Sequence, residues 1–207
     1  MGYADAICHL ADYDYAAASK GSYSRDDDPW QLIHVFDGDP DTKAVCEGYA
    51  KAYLYLCDLS DFRCDVTCNT VTGTMNGDAH MWNIVTLDGK NYLVDVTNTD
   101  GGGHGNALLL AGCVGSAAKG YQVSKTAYRY DSATLSFWGS GTGSILNISR
   151  KPLSPSAYTD HDHDYGSWKR YCSATLSRIG IKRRSCSNCG YPDIYCSSTK
   201  ELSAPSL

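Results

Sequence analysis

The spacing of hydrophobic residues predicts helices in the first part of the chain and strands farther along. Apolar side chains recur every three to four positions over residues 3–18 and 44–58, which predicts a helix in each stretch. Asp41 or Thr42 can cap the start of the second helix. Farther along, short runs rich in β-branched and aromatic residues predict strands at FRCDVTCNTV, HMWNIVTL, KNYLVDVT, ALLLAG, TAYRYD and LSFWGS.

A tight hairpin is predicted to join two of these strands. The dipeptide Asp88-Gly89 stands between HMWNIVTL and KNYLVDVT and is a strong signal for a two-residue turn. In the register that this turn sets, His80 and Asp95 point to the same face as diagonal neighbours, roughly 7–8 Å apart. A three-residue turn would shift the register by one position and move Asp95 to the opposite face.

The composition changes near residue 150. The stretch SRKPLSPSAYTDHDHD is rich in Pro, Ser and charged residues, and the chain after it is rich in cysteine. We therefore predict a main domain over residues 1–150, a linker over 151–160 and a small Cys- and His-rich module over 161–207.

Charge and hydropathy exclude some classes of partner. The chain has 207 residues, with 18 Lys and Arg against 23 Asp and Glu, and a formal net charge of -5. Its basic run Lys182-Arg183-Arg184 is too short to follow a phosphate backbone, so no nucleic-acid partner is expected. No apolar run approaches the roughly 18 residues that would indicate a transmembrane segment, and none is predicted.

Cys46 is the candidate nucleophile. It falls in the first turn of the second predicted helix, where the helix dipole and unpaired backbone N–H groups stabilise a thiolate. Gly48 in the same turn costs about 1 kcal/mol of helix stability unless another backbone or a substrate approaches closely there. A buried structural cysteine is the alternative interpretation.

A thiolate nucleophile needs a base and a group that orients the base. The predicted hairpin supplies His80 as the base and Asp95 as the acid that fixes the ring tautomer. Either residue alone is more often structural in a hairpin. The occurrence of both residues together with Cys46 favours a catalytic triad.

These residues lie in segments that resemble a known family. The runs VCEGYAKA and HMWNIVTLDGKNYLVDVTNTD resemble the transglutaminase-like superfamily in its bacterial branch, and the likeness covers about residues 3–150. The resemblance implies an α+β, papain-like core in which the nucleophile helix packs on an antiparallel sheet. It also implies Cys46 as nucleophile, His80 as general base and acid, and Asp95 as orienting group. Asn91 departs from the family, which often has Trp there.

The chemistry that the resemblance implies is acyl transfer at protein or peptide amides through a thioester, without a cofactor for catalysis. Water as acceptor gives a peptidase or amidase, which we favour; a lysine amine gives a transglutaminase. A catalytically silent binding module and a cell-wall peptide hydrolase remain alternatives. Members often sit at the cell surface, so an extracellular or surface location is expected.

Other residues are candidates for the cleft and for the oxyanion site. We expect Trp82, Gly48 and His104 to border the substrate cleft. The Cys46 backbone N–H is the first oxyanion donor, and Trp30 and Gln31 are candidates for the second.

The C-terminal module carries metal-ligand types. Cys186 and Cys189 form a Cys-x-x-Cys turn, and with Cys172 and His163 they could complete a tetrahedral, structural zinc site. The segment also resembles a short module of surface proteins from anaerobic gram-positive bacteria. A disulfide among the module's cysteines (Cys172, Cys186, Cys189 and Cys196), or no cross-link, is the alternative.

Overall fold

The computed structural model of the protein describes residues 2–19, 30–60, 66–100, 105–132, 134, 152–159, 164–172, 180–187 and 192–197. The chain divides into two compact units, Met1–Tyr158 and Thr159–Leu207. The predicted strand LSFWGS lies outside the described residues.

The first unit is α+β. Its described helices are α1 (Gly2–Leu10), α2 (Tyr15–Ala18), α3 (Gln31–Phe36) and α4 (Cys46–Asp58). Short strands β1 (Asp12–Tyr13) and β2 (Lys43–Ala44) pair in parallel. A curled antiparallel sheet has the order β5-β4-β3-β8-β7-β6, formed by β3 (Thr67–Met75), β4 (Asp78–Leu87), β5 (Lys90–Val94), β6 (Val114–Ser116), β7 (Gly120–Val123) and β8 (Thr126–Tyr130).

The single helix predicted over residues 3–18 is wrong, because the chain leaves the helix after Leu10. Asp14 caps a new helix, α2, by accepting a hydrogen bond from the Ala17 N–H at 2.8 Å. Between the two helices, Tyr13 pairs with Ala44 of β2. Pairing with a distant segment therefore overrides a helical pattern of local origin.

Helix α4 begins at Cys46, but without the predicted cap. Val45 is the N-cap residue, has an extended backbone and makes no side-chain capping bond, so the prediction of Asp41 or Thr42 is wrong. Instead, the Val45 N–H donates to Oε1 of Gln31 at 2.8 Å. A buried side chain from α3 thus fixes the segment that enters α4.

Gly48 allows α3 to approach α4. A Cβ atom at this position would lie 2.7 Å from the Gln31 carbonyl oxygen and 2.8 Å from the Ala44 Cβ. Close approach by another element was one of the two expected reasons for this glycine. In the structure, the Gln31 backbone occupies the space beside Gly48, so this space is not part of a substrate cleft.

The predicted hairpin register is confirmed. Leu87 pairs with Lys90, and the two turn residues, Asp88 and Gly89, have φ angles of 51° and 72°. Positive φ at both positions is the geometry of a type I′ turn, which matches the twist of the flanking strands. Val94 is the last residue of β5, so Asp95 follows directly at the strand end.

The predicted strand ALLLAG is wrong. Residues Gly105–Leu108 form a 3₁₀ helix, and Ala111 makes only an isolated bridge to Leu93. Leu108 is buried in the core, so its burial rather than strand pairing explains the apolar run.

The sheet has a hydrophobic cluster on each face. Successive residues of β4 alternate between them, with Ile84 in one cluster and Val85 in the other. The cluster with Val85 also contains Tyr49 and Tyr53 of α4, and so joins the helix to the sheet. Three cysteines of the first unit are buried free thiols (Cys57, Cys68 and Cys113).

Residues 152–158 pack against the first unit instead of forming a free linker. Leu153 is buried and bridges Asn91, and the Ser154 N–H donates to the Asn91 carbonyl at 2.7 Å. Tyr158 contacts the ring of Tyr92. The composition of this stretch is polar and suggested a linker, but the stretch contains one apolar residue, Leu153, that is buried in the core of the first unit.

The second unit contains a three-stranded antiparallel sheet in the order β11-β10-β9. Its strands are β9 (Lys169–Cys172), β10 (Gly180–Ser185) and β11 (Pro192–Ser197). The Arg184 guanidinium lies over the rings of Tyr165 and Trp168, 4.7 and 4.5 Å from their centroids. This cation–π stack connects β10 to the segment before β9.

Replacing Gly48 with alanine tests the contact between α3 and α4. Helix propensity alone would favour alanine, but the added Cβ collides with the Gln31 backbone, so we expect a loss of about 1–3 kcal/mol in unfolding free energy. Urea denaturation measures it. Gly2→Ala is the matched control, because nothing lies within 4 Å of a Cβ there. Equal stability of the two variants would contradict the contact.

Candidate active site

Cys46 lies at the first position of α4 and is partly exposed. The first four N–H groups of a helix have no intrahelical acceptor, so a negative charge on the Cys46 sulfur meets a positive electrostatic potential. The thiol is free. It is therefore accessible and lies at the start of a helix.

His80 lies beside this thiol. Its Nε2 is 2.9 Å from Oδ2 of Asp95, which leaves Nδ1 as the nitrogen for the Cys46 sulfur. Burial lowers the pKa of His80, but hydrogen bonds with Asp95 and with Cys46 raise it, and the balance raises it to about 10. The surroundings thus stabilise an imidazolium, the partner that a thiolate requires.

Asp95 is fully buried and accepts several hydrogen bonds. Oδ2 accepts from the Tyr128 hydroxyl at 2.7 Å and from Asn98 Nδ2 at 2.8 Å, besides its contact with His80. Oδ1 accepts from the Asn98 backbone N–H at 3.2 Å. Burial raises the pKa of Asp95, yet the hydrogen bonds from His80, Tyr128 and Asn98 lower it overall. The carboxylate therefore stays charged in the protein interior.

The three residues singled out in the sequence as a triad (Cys46, His80 and Asp95) are thus brought together by the fold. Asn98 and Tyr128 were not predicted as hydrogen-bond partners of Asp95. A residue three positions after an aspartate can donate its N–H to that carboxylate, so Asn98 had a weak local signal. Tyr128 comes from β8, on the other side of β3 from His80, and no local pattern points to it.

Trp82 packs behind His80 and does not line a cleft. Its side chain is 1% exposed, and its ring stacks on the His80 ring with centroids 6.0 Å apart and planes 14° apart. Tyr128 and Tyr130 contact its other sides. The expectation of a cleft wall is corrected to a core support that restricts the imidazole ring. His104 lies outside the described residues.

A second contact joins α4 to the loop after Asp95. The Tyr49 hydroxyl is 2.5 Å from Oδ2 of Asp100 and 2.9 Å from the Ala11 carbonyl oxygen. Tyr49 stands one turn after Cys46, and Asp100 stands five residues after Asp95. This contact therefore fixes the helix that carries the thiol relative to the loop that follows the carboxylate.

Two of the four predicted zinc ligands in the second unit, Cys172 and Cys186, lie among the described residues. Cys186 is buried and bridges Tyr165, and the backbone of Cys172 ends β9, whereas His163 and Cys189 lie outside the described residues. Within the ranges that the structure covers, no three His, Cys, Asp or Glu side chains are grouped to hold a metal ion. Structural zinc in this unit stays a prediction.

Comparison with known proteins adds no assignment. No protein-family model matches the chain, and no curated protein matches it. In the described part of the chain, no helix combines the length and the apolar character needed to cross a membrane.

Replacing Cys46 with alanine tests the thiol–imidazole pair. Because the interaction with Cys46 raises the pKa of His80, its loss should lower the midpoint of the His80 titration, followed by NMR of the ring nitrogens. In the unsubstituted protein, His80 should remain protonated at neutral pH. Cys8→Ala, which removes another partly buried thiol, is the control. An unchanged midpoint in Cys46→Ala would contradict the pairing.

Proposed function

We propose that this protein is a cysteine-dependent acyl transferase or hydrolase that acts on protein or peptide amides. The observation that carries the proposal is the thiol of Cys46 at a helix N-terminus beside an imidazole, His80, whose other nitrogen is bound by a buried carboxylate, Asp95. Nucleophile, base and orienting acid in this order are the components of thiol acyl transfer.

The steps follow from the charges of the three groups. The Cys46 thiolate attacks the amide carbonyl carbon, a C–S bond forms, and the carbonyl oxygen takes the negative charge. When the intermediate collapses, the C–N bond breaks and His80 gives its proton to the leaving amine. A thioester remains, and the neutral imidazole can then take a proton from the incoming acceptor.

Asp95 contributes orientation and charge. Its bond to Nε2 of His80 keeps Nδ1 directed at the sulfur, and its negative charge stabilises the imidazolium that exists before and after the attack. Trp82 restricts the ring from behind. No cofactor takes part in these steps.

Water is the acceptor that we favour, which makes the reaction hydrolysis by a peptidase or amidase. Cys46 keeps part of its surface exposed, so water can reach a thioester there. Transfer to a lysine amine, as in a transglutaminase, requires a site that excludes water and is the alternative. A surface binding module that keeps the fold without turnover is the competing class.

The proposal includes membership in the transglutaminase-like superfamily with a papain-like core. It is supported by an α+β unit in which α4 packs on β3 and β4, with the thiol at the helix start and the other two groups on the neighbouring hairpin. We also propose a protein or peptide substrate, cell-wall peptide included, and an extracellular or surface location.

Alkylation separates an enzyme from a binding module. An ionised Cys46 should react with iodoacetamide at neutral pH at least about 10-fold faster than an ordinary cysteine, of which only a few per cent is thiolate. Peptide mapping after brief exposure measures each thiol. The buried thiols Cys57 and Cys113 are internal controls. Reactivity of Cys46 no higher than theirs would support the binding module.

Incubation with a peptide pool identifies the acceptor. The protein, with and without a primary amine, should change peptide masses by hydrolysis of backbone amides, and Cys46→Ala should lower the rate by at least about 1,000-fold. Mass spectrometry distinguishes cleavage, deamidation and amine incorporation. Incorporation of the amine in preference to water would replace hydrolysis with crosslinking, and identical results for the two proteins would exclude both.

A further inference from the structure

The negative oxygen formed in the proposed reaction needs a second hydrogen-bond donor besides the Cys46 N–H. The two upstream candidates from the sequence fit this role poorly. Gln31 is 3% exposed, and its Oε1 accepts from the Val45 N–H. Trp30 is 60% exposed at the start of α3. A different residue, Tyr13, lies on β1, and β1 pairs with the segment that leads into Cys46.

Backbone pairing fixes the position of Tyr13. In the parallel pair of β1 and β2, Tyr13 lies opposite Ala44, two residues before Cys46. The next residue, Asp14, donates its N–H to the Ala44 carbonyl at 3.0 Å. The tyrosine is therefore anchored on the same short segment that carries the nucleophile.

Ring packing places Tyr13 against the face of α4 that includes the thiol. Its ring centroid is 6.2 Å from that of Tyr49, and Tyr49 stands three residues after Cys46. Residues three apart are neighbours on one helix face. Tyr13 also contacts the ring of Tyr15, with the two ring centroids 4.9 Å apart. Both contacts hold the phenol beside the first turn of α4.

The Tyr13 hydroxyl is suited to donate a hydrogen bond. The Tyr13 hydroxyl is hydrogen-bonded to none of the residues that the structure describes, so its proton is not committed among them. Burial, and after it the negative charge of Cys46, raise the pKa of Tyr13 to about 12. The phenol consequently stays protonated at neutral pH, and it lies close enough to the sulfur for that charge to act on it.

We propose that Tyr13 is a catalytic residue, whose hydroxyl donates a hydrogen bond to the oxyanion that forms when the Cys46 sulfur adds to a carbonyl. The inference rests on the proposed function and names a residue for it. The hydroxyl keeps its proton throughout. The bond shortens as negative charge develops on the oxygen and weakens when the carbonyl re-forms.

The test compares two reactions of the same sulfur in Tyr13→Phe, which removes the hydroxyl and keeps the ring. Acylation by p-nitrophenyl acetate passes through an oxyanion: the sulfur bonds to the acetyl carbon and p-nitrophenolate leaves. Alkylation by iodoacetamide displaces iodide at a saturated carbon and forms no oxyanion. We expect Tyr13→Phe to slow acylation by about 100-fold, the range for loss of one oxyanion donor, and to leave alkylation unchanged.

The matched control is Tyr15→Phe, which removes a hydroxyl from the neighbouring ring at a position that is 75% exposed. It should alter neither rate, and Cys46→Ala supplies the background for acylation. Equal loss in both reactions of Tyr13→Phe would show that the phenol acts on the thiolate or on the fold, and would overturn the assignment. Unchanged acylation would overturn it as well. A failure of the proposed function would give a different result. In that case Cys46 of the unsubstituted protein would itself react no faster than an ordinary cysteine.

Discussion

The buried charge of Asp95 is the constraint on which the site depends. A carboxylate without solvent must be satisfied by hydrogen bonds or it becomes protonated. Here the donors come from the hairpin through His80, from the following loop through Asn98, and from β8 through Tyr128. One side chain therefore ties together three parts of the first unit, and the direction of the imidazole ring follows from that arrangement.

The thiol is positioned by a different set of contacts. Helix α4 begins where it does because Gln31 binds the residue before Cys46 and because Gly48 lets the α3 backbone approach. Tyr49 then joins the helix to Asp100 and to the chain before β1. The Cys46 thiol and the His80 imidazole are thus held by separate elements, and their proximity depends on the packing of α4 against the sheet.

Local signals explain what could be predicted from the sequence. The two residues Asp88 and Gly89 are sufficient to set the register of the hairpin. The sequence could therefore predict that His80 and Asp95 are neighbours. Other features depend on partners that are distant in sequence: the contact of Gln31 with the residue before α4, the position of Tyr13, the bond from Tyr128 to Asp95 and the docking of Leu153. Propensity and spacing carry no information about such partners, which is why a local cap was expected where Gln31 acts.

The most direct measurement is the titration of His80 in Asp95→Asn, followed by NMR of its ring nitrogens. Burial alone lowers the pKa of this imidazole, and the carboxylate is a principal reason that it is raised to about 10 instead. With the charge removed, the midpoint should fall by several pH units, toward or below the ordinary value of 6.5. A midpoint that stays near its original value would show that Asp95 does not govern the imidazole, and would contradict the assembly of the site.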